Sequence, residues 1–131
     1  MDAITSARLA NVRQHGTSAE LSVRRYLHQL GHRYRVHNRD LPGSPDIANR
    51  SRKWVVFVHG CFWHRHAGCR RATTPTRNRQ FWLEKFEANV GRDARVQRKL
   101  RRSGWRVIVV WECESRDGRV LPRIRRALEK P

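Results

Sequence analysis

The stretch Trp54-Val55-Val56-Phe57-Val58-His59-Gly60-Cys61-Phe62-Trp63-His64-Arg65-His66-Ala67-Gly68-Cys69 constrains this chain more than any other. Five consecutive apolar residues lead into three histidines, two cysteines and two aromatic side chains. The apolar run is short and preceded by the polar turn Arg50-Ser51-Arg52-Lys53. Such a run reads as a central strand buried on both faces. It therefore needs secondary structure layered above and below it. A strand that delivers so many ligand-type side chains to one place is more than scaffold.

The rest of the chain supplies those layers. Thr17-Ser18-Ala19-Glu20 reads as a capping box, a hydroxyl followed three residues later by a carboxylate. A helix is expected from there to about Leu30, with Ala19, Val23, Tyr26, Leu27 and Leu30 on one face and Gly31 as its stop. Tyr34 to His37 suits a short strand. Leu41-Pro42-Gly43-Ser44-Pro45 suits a turn, and Asp46-Ile47-Ala48 begins a second strand that forms a hairpin with the central one. Residues 70–80 are basic and loop-like. Phe81 to Arg102 suits a helix with Leu83, Phe86, Val90, Val96 and Leu100 inward, Gly91 as a point of bending, and Gly104 as the stop. Phe81 is expected in the core beside Leu83 and Phe86. Arg106 to Trp111 is a second strongly apolar strand. Leu121 to Glu129 suits a last helix with Pro122 in its first turn. The helix between the third and fourth strands lets them run parallel. The expected architecture is an α/β domain, a mixed β-sheet flanked by helices.

At 131 residues the chain fits one domain over residues 1–131, with residues 1–16 as a basic amino-terminal arm or short helix. Twenty-nine Lys and Arg against eleven Asp and Glu give a net charge of +18, mostly from arginine. An excess of that size points to nucleic acid, ahead of an acidic protein or an anionic membrane. No apolar run approaches the ~20 residues of a membrane span, and Met1-Asp2-Ala3-Ile4-Thr5 does not begin a signal peptide. Three cysteines cannot complete a disulfide framework, so a reducing, cytoplasmic setting is expected.

Cys61, His66 and Cys69 stand within nine residues. A closed structural zinc site wants four such ligands. Cys113, just past the other apolar strand, is the fourth candidate if the two strands are neighbours. His64 competes with His66 for the histidine position. Three buried free thiols are the plainer alternative. Asp46 follows a sharp turn at the start of a strand, where a carboxylate can project towards a hard cation and a phosphate. Alone it is more simply a turn aspartate, and Glu20 more simply a capping acid. His59 and His64 flank Gly60, and histidine titrates near neutrality. Phe62 and Trp63 are expected at an exposed loop tip, and Phe81 and Trp82 begin the long helix. Aromatics exposed among arginines suit stacking on or between bases, although some must be core.

Leu41-Pro42-Gly43-x-Pro45-Asp46, Phe57-Val58-His59-Gly60-Cys61-Phe62-Trp63-His64, Phe81-Trp82-x-x-Lys85, Gly104-Trp105-Arg106-Val107 and Val110-Trp111-Glu112-Cys113 together resemble the bacterial very short patch repair (Vsr-type) DNA mismatch endonucleases. The similarity runs from about residue 5 to residue 114. The resemblance implies a restriction-endonuclease-like fold. It also implies a nicking phosphodiester hydrolase that cuts 5′ to the thymine of a T:G mismatch left by 5-methylcytosine deamination.

By position, Asp46 resembles the metal-binding catalytic aspartate, with the Val58 carbonyl as a second Mg²⁺ ligand. His64 resembles the histidine that orients or deprotonates water. Glu20 and His59 match assisting residues, and Asp93 an acid that orients His64. Cys61, His66, Cys69 and Cys113 match structural zinc ligands. Phe62, Trp63 and Trp82 match aromatics that insert into DNA, and Lys85 and Asn89 match residues near the mismatch. The implied partner is double-stranded DNA with a T:G mismatch, met by a monomer near the nucleoid, with contacts to other mismatch-repair proteins.

This chain departs from the family in having Val58 for a polar residue, an extra residue between His66 and Cys69, and Leu9 in place of a wedging methionine. Two further readings stay open: a relaxed or structure-selective nickase of the same fold, and a zinc-stabilised DNA-binding module without catalysis.

Overall fold

The computed structural model describes residues 18–115 and 120–129. The expected basic arm, with Leu9, and the Thr17 hydroxyl of the capping box lie outside the described residues. The order is helix α1 (Ser18–Gln29), strands β1 (Arg35–Val36), β2 (Ile47–Asn49) and β3 (Trp54–His59), helix α2 (Cys61–His64), helix α3 (Arg79–Arg102), strand β4 (Arg106–Trp111) and helix α4 (Val120–Glu129).

The strands form a mixed sheet in the order β1-β2-β3-β4. β1 and β2 pair antiparallel, as do β2 and β3, with Ile47 opposite Val56. β3 and β4 run parallel, Trp54 opposite Arg106 through His59 opposite Trp111. All six β3 residues are buried, as an apolar central strand requires. Because side chains alternate along a strand, β3 feeds two cores. Trp54, Val56 and Val58 pack with Val23 and Leu27 of α1 and Ile124 and Leu128 of α4. Val55 and Phe57 pack with Val96 and Leu100 of α3 on the other face. Asp46 precedes Ile47, which lies in the first core, so the alternation turns it towards the α3 side, where His59 also points.

Several expected boundaries move. β3 runs one residue further, to His59, and α3 begins at Arg79 and continues through Gly91 without a break. The turn after β3 closes into a one-turn helix that no hydrophobic period announces. The expected inward stripe of α3 is also corrected. Phe81 is 54% exposed, and Leu83 and Val90 are exposed as well, whereas Trp82 is 2% exposed and packs with Phe86. The reason is the partner: the start of α3 lies against α2 rather than the sheet, so Trp82 meets Trp63 and Phe62 there. The far end of α3 is fixed by Gly104, at φ 87, and by the Lys53 ammonium, which donates to the Ser103 carbonyl at 2.6 Å.

Candidate active site and metal centre

Two clusters flank α2, one on each side of the β3 terminus. The first lines a cavity of about 490 Å³ between the sheet edge and α3. Asp46, Val58, His59 and His64 form its sheet side, and Lys85, Asn89, Asp93 and Val96 its helix side. Asp46 also lines a neighbouring cavity of about 250 Å³ with Glu20, His37 and Arg39. Asp46 Oδ2 accepts the Val58 main-chain N–H at 2.7 Å. Val58 stands past the last β2 pair, so its main-chain groups on that edge meet the turn instead of a strand. In an extended strand the N–H and C=O of one residue leave the same edge. The Val58 carbonyl therefore also faces the Asp46 side. A carboxylate and a carbonyl are hard oxygen donors, a set that suits Mg²⁺.

His64 Nδ1 lies 2.6 Å from Asp93 Oδ2. A carboxylate only accepts, so Nδ1 carries the proton and Nε2 is the basic nitrogen of the neutral ring. The His59 ring stacks on His64, centroids 3.9 Å apart and planes 5° apart. His59 is 4% exposed. Burial, reinforced by the charge of His64, lowers its pKa from 6.5 to about 4. The near-neutral titration expected of His59 is thereby corrected. The ring stays uncharged, and its Nδ1 is buried with no hydrogen-bond partner among the described residues. The donor atoms of His59, His64 and Asp93 lie within 4.8 Å of one another. Parallel ring planes do not aim two in-plane lone pairs at one ion, so this group is better suited to orienting His64 than to holding metal.

The second cluster joins the two apolar strands. Donor atoms of Cys61, His66, Cys69 and Cys113 all lie within 4.8 Å of one another. Cys113 Sγ is 3.3 Å and Cys61 Sγ 3.8 Å from His66 Nδ1. The edge of a tetrahedron around zinc, with bonds of about 2.0–2.3 Å, is about 3.3–3.8 Å, so the set fits a four-coordinate ion. Burial pushes the Cys61 thiol up to about 12 and raises Cys113. A hydrogen bond from the Arg71 main chain draws Cys69 down to about 7. A cation at the centre would reverse the upward shifts of Cys61 and Cys113 by favouring thiolates. The competition between His64 and His66 resolves by position: His64 turns to Asp93, and His66 turns to the cysteines and stacks on Trp111 at 4.3 Å. Arg65 causes the split. It stands at φ 57, in the left-handed region, between the two histidines.

The aromatics differ most from expectation. Trp63 is 9% exposed, and it packs with Trp82, Phe86 and the half-buried Phe62 in a closed cluster. Phe62 meets Trp63 and Phe86 edge-on at 5.1 and 5.2 Å. They do not stand free at a loop tip. The Lys85 ammonium sits 5.8 Å from both the Trp63 and Trp82 rings, and Asn89 donates to the Trp63 carbonyl at 3.3 Å. Glu20, in the first turn of α1, is buried and ion-paired with Arg24. Arg65, beside α2, and Arg92, on the cavity wall, were not among the expected site residues. Arg92 was legible, because it continues the helical spacing Lys85, Asn89, Arg92.

A family model described as DNA mismatch endonuclease Vsr matches residues 2–71. The chain is 48% identical to the type II nicking enzyme V.XorIIP of Xanthomonas oryzae pv. oryzae, over 92% of this chain and 89% of that one. It is 44% identical to the type II nicking enzyme V.NmeAIP of Neisseria meningitidis, over 77% of this chain and 71% of that one. It is 42% identical to the DNA mismatch endonuclease Vsr of Escherichia coli, over 76% of this chain and 64% of that one. With a matching family model and relatives at this identity over most of its length, the chain belongs to the Vsr family of DNA mismatch endonucleases.

Proposed function

We propose that this endonuclease nicks one strand of a DNA duplex 5′ to the thymine of a T:G mismatch, with Mg²⁺ as catalytic cofactor and Zn²⁺ as structural ion. The observation that carries the reading is the sharing of one cavity by Asp46 and the Asp93-held His64. A scissile phosphate in that cavity lies between a hard-cation ligand set and an oriented base.

Asp46 and the Val58 carbonyl would hold the Mg²⁺. When bound, the ion neutralises phosphate charge and acidifies water. Asp93 fixes the His64 ring, so that Nε2 takes the proton of the attacking water and holds it during bond cleavage. His59 buttresses the ring face by stacking. Glu20, across the smaller cavity from Asp46, assists by keeping that side polar. Cys61, His66, Cys69 and Cys113 would hold Zn²⁺, and this ties the α2 turn to the end of β4. His64 is thereby delivered with fixed geometry.

Recognition falls to the aromatic cluster. Phe62, Trp63 and Trp82 leave their mutual packing to enter the base stack beside the mismatch, flanked by Lys85 and Asn89. The indole N–H groups of Trp63 and Trp82 are buried without partners among the described residues, which lowers the cost of opening the cluster. A mismatched pair unstacks more cheaply than a Watson–Crick pair. The net charge of +18 supplies attraction to the backbone. Among the described residues no helix is long and apolar enough to cross a membrane. Action as a monomer in the bacterial cytoplasm, alongside other mismatch-repair proteins, completes the proposal.

The test compares nicking of otherwise identical T:G and T:A duplexes with and without Mg²⁺. Strong preference for T:G, lost on chelation, is expected. Equal cleavage of both duplexes selects the relaxed nickase, and binding without cleavage selects a DNA-binding module.

A further inference from the structure

Positions 85, 89, 92, 93 and 96 recur at helical spacing, and with Gln97 they form the α3 wall of the larger cavity. Four of the five already have partners. Lys85 lies against the two indole rings, Asn89 holds the Trp63 carbonyl, and Asp93 holds His64. Val96 sits directly beneath Gly43. Arg92 is the exception. Its guanidinium is exposed at the cavity and has no ion pair or side-chain hydrogen bond among the described residues. It is also adjacent in sequence to the acid that fixes the base.

The cavity's charge explains why a cation belongs there. Asp93 is engaged by His64, while Asp46 presents a carboxylate from the opposite wall. A phosphodiester entering this space brings a second negative charge close to Asp46. One cation at the Asp46 wall offsets charge on one side of the phosphate only. With a cation on that wall, the other non-bridging oxygen would face α3. A planar guanidinium matches phosphate oxygens better than an ammonium does.

We propose that Arg92 is a substrate-binding residue that holds a non-bridging oxygen of the scissile phosphodiester from the α3 wall of the cavity. This rests on the reading of the cavity as the site of strand cleavage. Arg92 thus acts on the transferring group directly, whereas Lys85 and Asn89, two turns and one turn earlier, remain with the aromatic cluster.

The experiment measures nicking by wild type, Arg92→Ala, Arg92→Lys and Arg126→Ala, on duplexes carrying either phosphorothioate diastereomer at the scissile linkage. Arg126 is exposed in the last turn of α4, on the far side of the sheet, and controls for loss of one positive charge. Arg92→Ala is expected to lower kcat about 10- to 100-fold, with unchanged melting and a smaller change in KM. Arg92→Lys recovers part of the loss. The sulfur penalty of one diastereomer shrinks towards unity in Arg92→Ala, while that of the other persists. If Arg92→Ala matches Arg126→Ala, with both sulfur penalties intact or with a loss confined to KM, the proposal is overturned while the proposed function stands. A wild type that nicks no duplex overturns both.

Discussion

Asp46 Oδ2 accepts the main-chain N–H of Val58 at 2.7 Å, joining the turn before β2 to the open edge of β3. The hydrogen bond aims the carboxylate at the edge from which the Val58 carbonyl also emerges. Asp46→Asn keeps the shape and removes the charge. Its nicking rate is expected to fall at least about 10³-fold, since charge stabilisation at a metal site is worth several kcal/mol. Binding of a T:G duplex should persist, because less negative charge then meets the phosphate. Gel-shift and nicking assays on the same preparation check this, and an Asp46→Asn protein that cuts at wild-type rate refutes the metal assignment.

The bond between His64 Nδ1 and Asp93 Oδ2 makes a second prediction. Asp93→Asn can turn its carbonyl or its amide to Nδ1. The amide orientation favours the proton on Nε2 and removes the base. A kcat loss of about 10²–10⁴ is expected, close to that of His64→Ala. The double variant should be hardly worse than either single one, because both act through the same ring. Additive losses in a double-mutant cycle would show that Asp93 works independently of His64.

Gly43 stands at φ 72, and a Cβ there would lie 2.3 Å from Val96 Cγ1. The turn that aims Asp46 is therefore pressed against α3 through a glycine. Gly43→Ala should destabilise the fold by about 1–3 kcal/mol through crowding and backbone strain. It should also lower nicking by displacing Asp46 from the helix wall. Val96→Ala in the same chain relieves the crowding but not the strain, so partial recovery is expected. Urea denaturation of the two single variants and the double variant measures it.

The sheet was legible because β3 and β4 are apolar runs with a helix-length connection, and a parallel pairing of neighbours follows from that. Asp46, His64 and the four candidate metal ligands were legible as residue types at turns and strand ends, and their resemblance to a family added roles. The core of α3 was not. Leu83, Phe86 and Val90 make an acceptable stripe, and only the presence of α2 against the helix start explains why Trp82 is buried and Phe81 is not. That contact is non-local and leaves no period in the sequence. The burial of His59 is equally hidden, because it depends on stacking with His64 across a turn.

Cys113 stands apart in sequence from the other three candidate ligands, and its Sγ is 3.3 Å from His66 Nδ1. If a metal joins β3 to β4 there, Cys113→Ser should lower the zinc content from about one per chain and lower the melting temperature. Structural zinc contributes to folding free energy. Nicking should fall with it, because His64 is two residues from His66 on the same turn. Full zinc retention by elemental analysis would remove Cys113 from the ligand set.

Arg65 gives the last prediction, because its side chain connects three parts of the site. Its guanidinium donates to the carbonyls of Phe62, Ala72 and Thr73 and to Thr74 Oγ1 at 2.8–3.3 Å. It also lies 4.0 Å from the centroid of the Phe86 ring. The α2 turn, the loop after the cysteines and the aromatic face of α3 are thus held by one side chain. Burial lowers its pKa below the ordinary arginine range, yet the charge is retained by these acceptors. Arg65→Ala leaves several carbonyls without a donor and uncovers the ring, for an expected loss of about 2–4 kcal/mol. Arg65→Lys should recover less than half, because an ammonium cannot span acceptors arranged for a fork. Tryptophan fluorescence should report the change, since Trp63 and Trp82 pack in the same cluster. If both variants unfold in urea at the wild-type midpoint, Arg65 does not hold the cluster together.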